Sequence, residues 1–264
     1  MMTSLRHIGA TTIAILFVST MSASAQTPTT QLEALTFDHM HLAFPDPHGS
    51  TEWYIKYLGA AARPDGMDGV FFGPIRFNMR KLANPTSSDG ATIDAIGLSY
   101  RDIAAELKML DGSGAKVLEP VHQARGWKRM AIVEDPWGTK LELVEDPQLL
   151  GFHHVRLRVI DPVAIRSWFA QKLGGQPARF NGNDALTFGG IWLLIDKADA
   201  EPRPSEGTAI DHLGFRTKEI NGELTVLAAN GVKATGAPRQ DPNVATTYAT
   251  FIVGPLGRME LTQR

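Results

Sequence analysis

"FDHMHLAFPDP" at residues 37–47 returns as "FHHVRLRVIDP" at residues 152–162. More matches follow at nearly constant offset. "TEWYIKYLG" (51–59) answers "IRSWFAQKLGG" (165–175), with Trp53 on Trp168, and "VFFGPIRF" (70–77) answers "LTFGGIWL" (186–193). "TIDAIGLSYRDI" (92–103) matches "AIDHLGFRTKEI" (209–220), and "DPWGTKLEL" (135–143) matches "GPLGRMEL" (254–261). Self-similarity over such a period marks a duplicated structural unit, so the chain reads as two halves joined near "EDPQLLG" (145–151).

Each half divides again. Strands beginning near Asp38, Asp94, Phe152 and Asp211 each precede a helical pattern, at 48–58, 101–112, 162–173 and 217–230, and short β-rich segments with glycine turns follow each helix. The unit is β-α-β-β-β, four times over. Side chains alternate faces along a strand. One face of the four first strands reads Met40/Leu42/Phe44, Ile96/Leu98/Tyr100, Val155/Leu157/Val159 and Leu213/Phe215, which packs on the helices. The other reads His39/His41/Ala43, Ala95/Gly97/Ser99, His154/Arg156/Arg158 and His212/Gly214/Arg216. A polar face of that kind cannot seal a hydrophobic core, so it is expected to line a concave cavity.

Residues 1–25 carry one positive charge (Arg6), an apolar run through "TTIAILFVSTM" and a small-x-small site at Ala23-Ser24-Ala25, the pattern of a secretory signal. The mature chain is expected to be secreted or periplasmic. The apolar run falls short of the roughly 18 residues a membrane span needs, so no membrane association is expected after cleavage. Removing Arg6 takes Lys+Arg from 26 to 25 against 28 Asp+Glu, a net charge of −3, which leaves no basic field for nucleic acid. With no cysteine, thiolate ligands and nucleophiles are excluded, and an exported chain must draw its stability from burial alone.

The four first strands and the two closings "GTKLEL" (138–143) and "GRMEL" (257–261) resemble the vicinal oxygen chelate superfamily, which includes glyoxalase I, extradiol dioxygenases, methylmalonyl-CoA epimerase and the bleomycin and fosfomycin resistance proteins. The resemblance implies an α+β fold of four βαβββ modules paired into two cup-shaped half barrels. It implies an N-terminal domain over 26–147 and a C-terminal one over 148–264. By position it implies metal ligands seven residues before the acid that opens each helix, plus one on a closing strand. Those are His154, His212 and Glu260, with His153 a non-ligand.

Two imidazoles and a carboxylate leave open positions on a divalent ion, the set associated with Fe(II) and compatible with Mn, Ni, Co or Zn. In the first half His39 and Glu142 hold the equivalent places, but Ala95 stands opposite His212 and neither Asn78 nor Met79 replaces it, so that half is expected to be degenerate. His39, His41 and Glu142 are then expected to be satisfied by hydrogen bonds.

Arg156 and Arg158 share the face of His154 by parity, and Arg216 that of His212. Guanidinium groups near a metal need anionic partners, either a substrate carboxylate or wall acids such as Asp196 or Glu260. Three activities stay open for this exported chain and its small-molecule substrate: a dioxygenase with Tyr248 as proton donor, a glyoxalase- or epimerase-like lyase or isomerase, and a resistance-type binder. The dioxygenase is the leading expectation, with Trp192, Phe180 and Tyr248 as aromatic cavity candidates. A homodimer is compatible with any of them.

Overall fold

The computed structural model describes residues 34–242 and 244–264; the signal read at 1–25 lies outside them. The first module runs β1 (Thr36–Phe44), α1 (Pro47–Leu58), β2 (Ala61–Ala62), β3 (Gly69–Phe72) and β4 (Ile75–Lys81). The second runs β5 (Ile93–Ser99), α2 (Ile103–Met109), β6 (Lys116–Ala124), β7 (Trp127–Glu134) and β8 (Lys140–Val144). The third comprises β9 (Gly151–Val159), α3 (Pro162–Leu173), β10 (Gln176–Phe180), β11 (Asn183–Phe188) and β12 (Ile191–Lys197). The fourth adds one short strand: β13 (Ile210–Arg216), α4 (Ile220–Ala229), β14 (Lys233–Ala234), β15 (Arg239–Gln240), β16 (Tyr248–Gly254) and β17 (Gly257–Gln263).

Helix starts follow local chemistry. Asp102, Asp161 and Glu219 accept backbone N–H groups of the first turns of α2, α3 and α4, while α1 opens on Pro47 after Asp46. Gly59 and Gly174 end α1 and α3 in the left-handed conformation, which glycine adopts without steric cost. None of the described helices is long and apolar enough to cross a membrane.

The modules do not pair as the sequence halves suggest. One sheet has the order β14-β16-β17-β13-β1-β4-β3-β2, with β15 on β16, and joins modules one and four. The other has the order β10-β11-β12-β9-β5-β8-β7-β6 and joins modules three and two. The domains expected at 26–147 and 148–264 therefore do not correspond to the two sheets, because each first strand pairs antiparallel with one from the other half, β1 with β13 and β5 with β9.

The expected apolar face is the core. Met40, Ile96, Val155 and Leu213, one from each first strand, are fully buried in a single cluster. Phe152 of β9 stacks on Phe37 of β1 at 5.4 Å and meets Phe77 of β4 edge-on at 5.5 Å, so the two sheets lock together through their apolar sides. Each such ring or branched side chain contributes roughly 1.5–3 kcal/mol by its burial. The polar faces are left to form two half-barrel cups.

Candidate metal centre

In the sheet of modules one and four, three imidazoles converge on one carboxylate. The Nε2 atoms of His41, His39 and His212 stand 3.1, 3.4 and 3.5 Å from Glu260 Oε2. His39 and His41 come from β1, His212 from β13 and Glu260 from β17. His41 stacks on His212 at 4.4 Å between ring centroids.

Two of the imidazoles are held from behind. Asp38 Oδ2 lies 2.8 Å from His39 Nδ1, and Asp211 Oδ1 lies 2.6 Å from His212 Nδ1. The β1–β13 register explains how adjacent residues on a strand can meet: it skips Asp38 between Phe37 and His39, and Asp211 between His212 and Ile210. Each aspartate is thus the extra residue of a bulge, which re-aims its side chain toward the neighbouring histidine. With Nδ1–H donated to the carboxylate, the Nε2 lone pair is directed inward, the arrangement that orients metal-binding histidines.

Electrostatics follow from this clustering. Burial would raise the Asp38 carboxyl, yet the hydrogen bond from His39 and the Arg264 guanidinium outweigh it and hold it at about 2. Burial also works against Glu260, but the three imidazoles keep it well below the usual carboxylate range. Burial and the neighbouring imidazoles push His41 down to about 4, so it is neutral at neutral pH. His39 moves up despite its burial, because Asp38 and Glu260 both favour a cation there.

The residues present fit a divalent ion. His39, His41 and Glu260 offer ligand atoms within 4.8 Å of one another, His212 Nε2 reaches the same Glu260 oxygen at 3.5 Å with Asp211 fixing its other nitrogen, and His39 Nε2 is buried with no hydrogen bond. A buried nitrogen without a partner is costly unless something ligates it. Asn78, across from His41 on β4, turns its amide nitrogen to the cluster: its Oδ1 accepts from Arg63 Nη1 at 2.7 Å, and its Nδ2 donates to His41 Nε2 at 3.1 Å. Beside these groups opens a cavity of about 530 Å3, lined by His41, Arg63, Arg76, Asn78, Glu260 and Thr262.

The expected set His154, His212 and Glu260 is not brought together. His154 lies on β9, in the other cup, with Nε2 3.0 Å from Glu142 Oε2. His39 and His41, expected to belong to a degenerate half, complete the cluster with His212 and Glu260 instead; the exchanged strand pairing is the reason. Arg156, Arg158 and Trp192 also belong to the second cup. Arg156 binds both Glu142 oxygens (2.6 and 2.8 Å) and Asp196 (2.9 Å), so it answers to wall acids. Arg158 stands opposite Asp196 in the strand register, and Trp192 stands opposite His154 and packs on Phe180 at 4.9 Å. Arg216 is about half-exposed, with Nη1 3.8 Å from Asp38. Tyr248 sits across from Gln263 while Phe251 sits across from Glu260, so strand alternation places Tyr248 on the face away from the cluster.

Asp38, Asp211, Arg63 and Arg76 were not foreseen. One signal was present in the sequence: the dipeptide Asp-His occurs at 38–39 and 211–212, in modules one and four, where modules two and three carry Asp94-Ala95 and His153-His154.

The model of the Glyoxalase/Bleomycin resistance protein/Dioxygenase superfamily matches residues 36–143, the first two modules. No curated protein sequence matches the chain. Among solved structures, glyoxalase I from Zea mays superposes with a TM-score of 0.70 at 16% identity, covering 87% of this chain and 92% of its own. A putative dioxygenase from Bacillus subtilis subsp. subtilis str. 168 gives 0.61 at 15% identity, covering 88% and 86%. At such identities the likeness is one of fold. Residues 36–143 thus carry the sequence pattern of the glyoxalase/bleomycin resistance protein/dioxygenase superfamily, the matched modules recur in the second half, and the whole chain shares the fold of these solved structures.

Proposed function

We propose that the chain is a metal-dependent enzyme of dioxygenase type, acting in the cup of modules one and four on a small substrate with two adjacent oxygens. The carrying observation is the convergence of two aspartate-backed imidazoles, His39 and His212, with Glu260. These three would hold the ion, Fe(II) being favoured by a two-histidine, one-carboxylate donor set, with Mn, Ni, Co or Zn able to occupy it. When bound, the ion supplies a Lewis-acidic and, as iron, redox-active centre for a chelating substrate.

The chain's own residues do the rest. His41 Nε2, neutral beside the carboxylate, can take a proton from a substrate hydroxyl. The Asn78 Nδ2–H, fixed by Arg63, donates a hydrogen bond at the same spot. An amide cannot accept a proton as a second carboxylate would, which weighs against the paired-carboxylate form of isomerase chemistry. A lyase or isomerase is the second reading, favoured by His41 as a single base. Export of the mature chain, read from residues 1–25, remains part of the proposal.

The test is oxygen uptake. Anaerobic protein loaded with Fe(II) and given catechol-like compounds consumes oxygen when air is admitted if the first reading holds. Solvent-proton exchange into an α-hydroxythioester without oxygen uptake supports the second, and tight binding with neither reaction indicates a sequestering protein. The His41→Ala variant retains its metal and loses turnover in either enzymatic case.

A further inference from the structure

Arg76 lies on β4 in register with His39 and lines the same cavity as His41, Asn78 and Glu260. Its side chain is mostly buried, and its Nε is buried without a hydrogen-bond partner. Its ion-pair contact is long, 3.9 Å from Nη2 to Asp38 Oδ2. Asp38 is already engaged by His39 at 2.8 Å and by Arg264 at 2.6 and 3.0 Å, with Arg216 at 3.8 Å. Arg63, the other guanidinium of the cavity, is spent: two of its nitrogens bind Asp65 and the third holds Asn78.

Among the described residues, Arg76 shares its one ion-pair contact, Asp38, with Arg264 and Arg216, and a divalent ion would engage Glu260, the other carboxylate that favours its charge. The remaining acids of the cavity lining are Asp68, which meets His48, and Asp241. A mostly buried guanidinium with unused donors is costly to leave unpaired. Its planar fork matches the two oxygens of a carboxylate.

We infer that Arg76 anchors a carboxylate of the substrate, on the cavity wall next to His39, while the substrate's adjacent oxygens face the metal centre. This names the substrate class for the function proposed above and rests on that reading for the chelating end only. The anion pocket expected from Arg158 and Arg216 is thereby moved to a different wall.

The test compares two probes of one shape in zinc-loaded protein, where no redox turnover intervenes: 3,4-dihydroxybenzoate and its neutral amide, titrated by calorimetry. The parent is expected to prefer the acid by about tenfold to a hundredfold, the size of a charge-assisted contact. Arg76→Met erases that preference while zinc content and affinity for the amide stay unchanged. Arg216→Ala leaves it in place. Should Arg76→Met fail to fold by circular dichroism, Arg76→Lys, which keeps the charge and loses the fork, is expected to retain only part of the preference. Equal binding of acid and amide by the parent, or an undiminished preference in Arg76→Met or Arg76→Lys, overturns the inference. If the protein takes up no zinc, benzoate and benzamide replace the chelating pair. An Arg76-dependent preference for benzoate then upholds the anion site while refuting the metal centre, and no preference refutes both.

Discussion

The two cups are built from the same module and have nearly equal cavities, about 530 and 520 Å3, yet they solve the same electrostatic problem differently. Each places one glutamate of a closing strand at its centre. Around Glu260 stand three imidazoles, one of which, His39, has an Nε2 that makes no hydrogen bond. Around Glu142, fully buried, stand Arg156 on both oxygens, Arg125 at 2.9 Å and His154 at 3.0 Å. Repeat position explains the exchange. Arg156 occupies the place of His41, Ala95 that of His212 and Leu194 that of Asn78. The bulge positions change too: where Asp38 and Asp211 back their histidines, His153 now lies 3.0 Å from His154 Nδ1, and Asp94 turns to Lys140. A guanidinium from the protein sits where, in the other cup, a metal fits.

The sharpest break of this comparison is ligand removal. His39→Ala, His212→Ala and Glu260→Gln are each expected to lower metal affinity by at least about a hundredfold, since losing a group that merely orients a ligand already costs about 10–100-fold. His154→Ala leaves metal content unchanged. Metal analysis after dialysis decides, and the reverse pattern would move the site to the Glu142 cup.

Next in size is Glu142→Gln, expected to destabilise the fold by about 3–5 kcal/mol in urea unfolding, because it strands a buried guanidinium. A loss under 1 kcal/mol would mean that the second cup does not depend on this ion pair.

The same pair carries a pH signature. Arg156 and His154 hold the Glu142 carboxyl well below its ordinary 4.5 despite the opposing effect of burial. The folded chain therefore binds that proton less readily than the unfolded one. Its contribution to stability is full above about 4.5 and drains as pH falls below it, by up to about 1.4 kcal/mol per pH unit. In metal-free protein, Glu142→Gln should flatten the acid limb of the stability curve; an unchanged slope would assign that limb to other carboxylates.

The smallest expected effect is a gain. Ala95→His combined with Arg156→His restores the donor types of the first cup around Glu142. A second, weaker equivalent of zinc should then bind per chain; a stoichiometry that stays at one would show that the bulge aspartates, still missing there, are required.

Local periodicity made the modules, helix starts and core faces legible in the sequence, and the family resemblance singled out His212 and Glu260, which the structure brings together. Which modules share a sheet was not, because alternation along β1 is satisfied equally by pairing with β5 or with β13. The choice is non-local, and it decides whether His212 meets His154 or His39. The Asp-His dipeptides of modules one and four pointed to the answer, but their meaning depends on a bulge, and a bulge is visible only once the register is known. Arg76 was hidden for a related reason: nothing in "GPIRFNMRK" (73–81) tells which cavity its side chain enters.

The contact between Arg264 and Asp38, 226 residues apart in sequence, bears on the order of assembly. On a chain synthesised from its N-terminal side, every strand of the Glu142 sheet exists once β12 has emerged, while the Glu260 sheet still lacks β13, β16 and β17. Pairing across such separations is slow because loop closure precedes any reward. The ion-paired cup is thus able to form first and act as a template, and the side chains of the candidate metal centre come together only as the last strands dock.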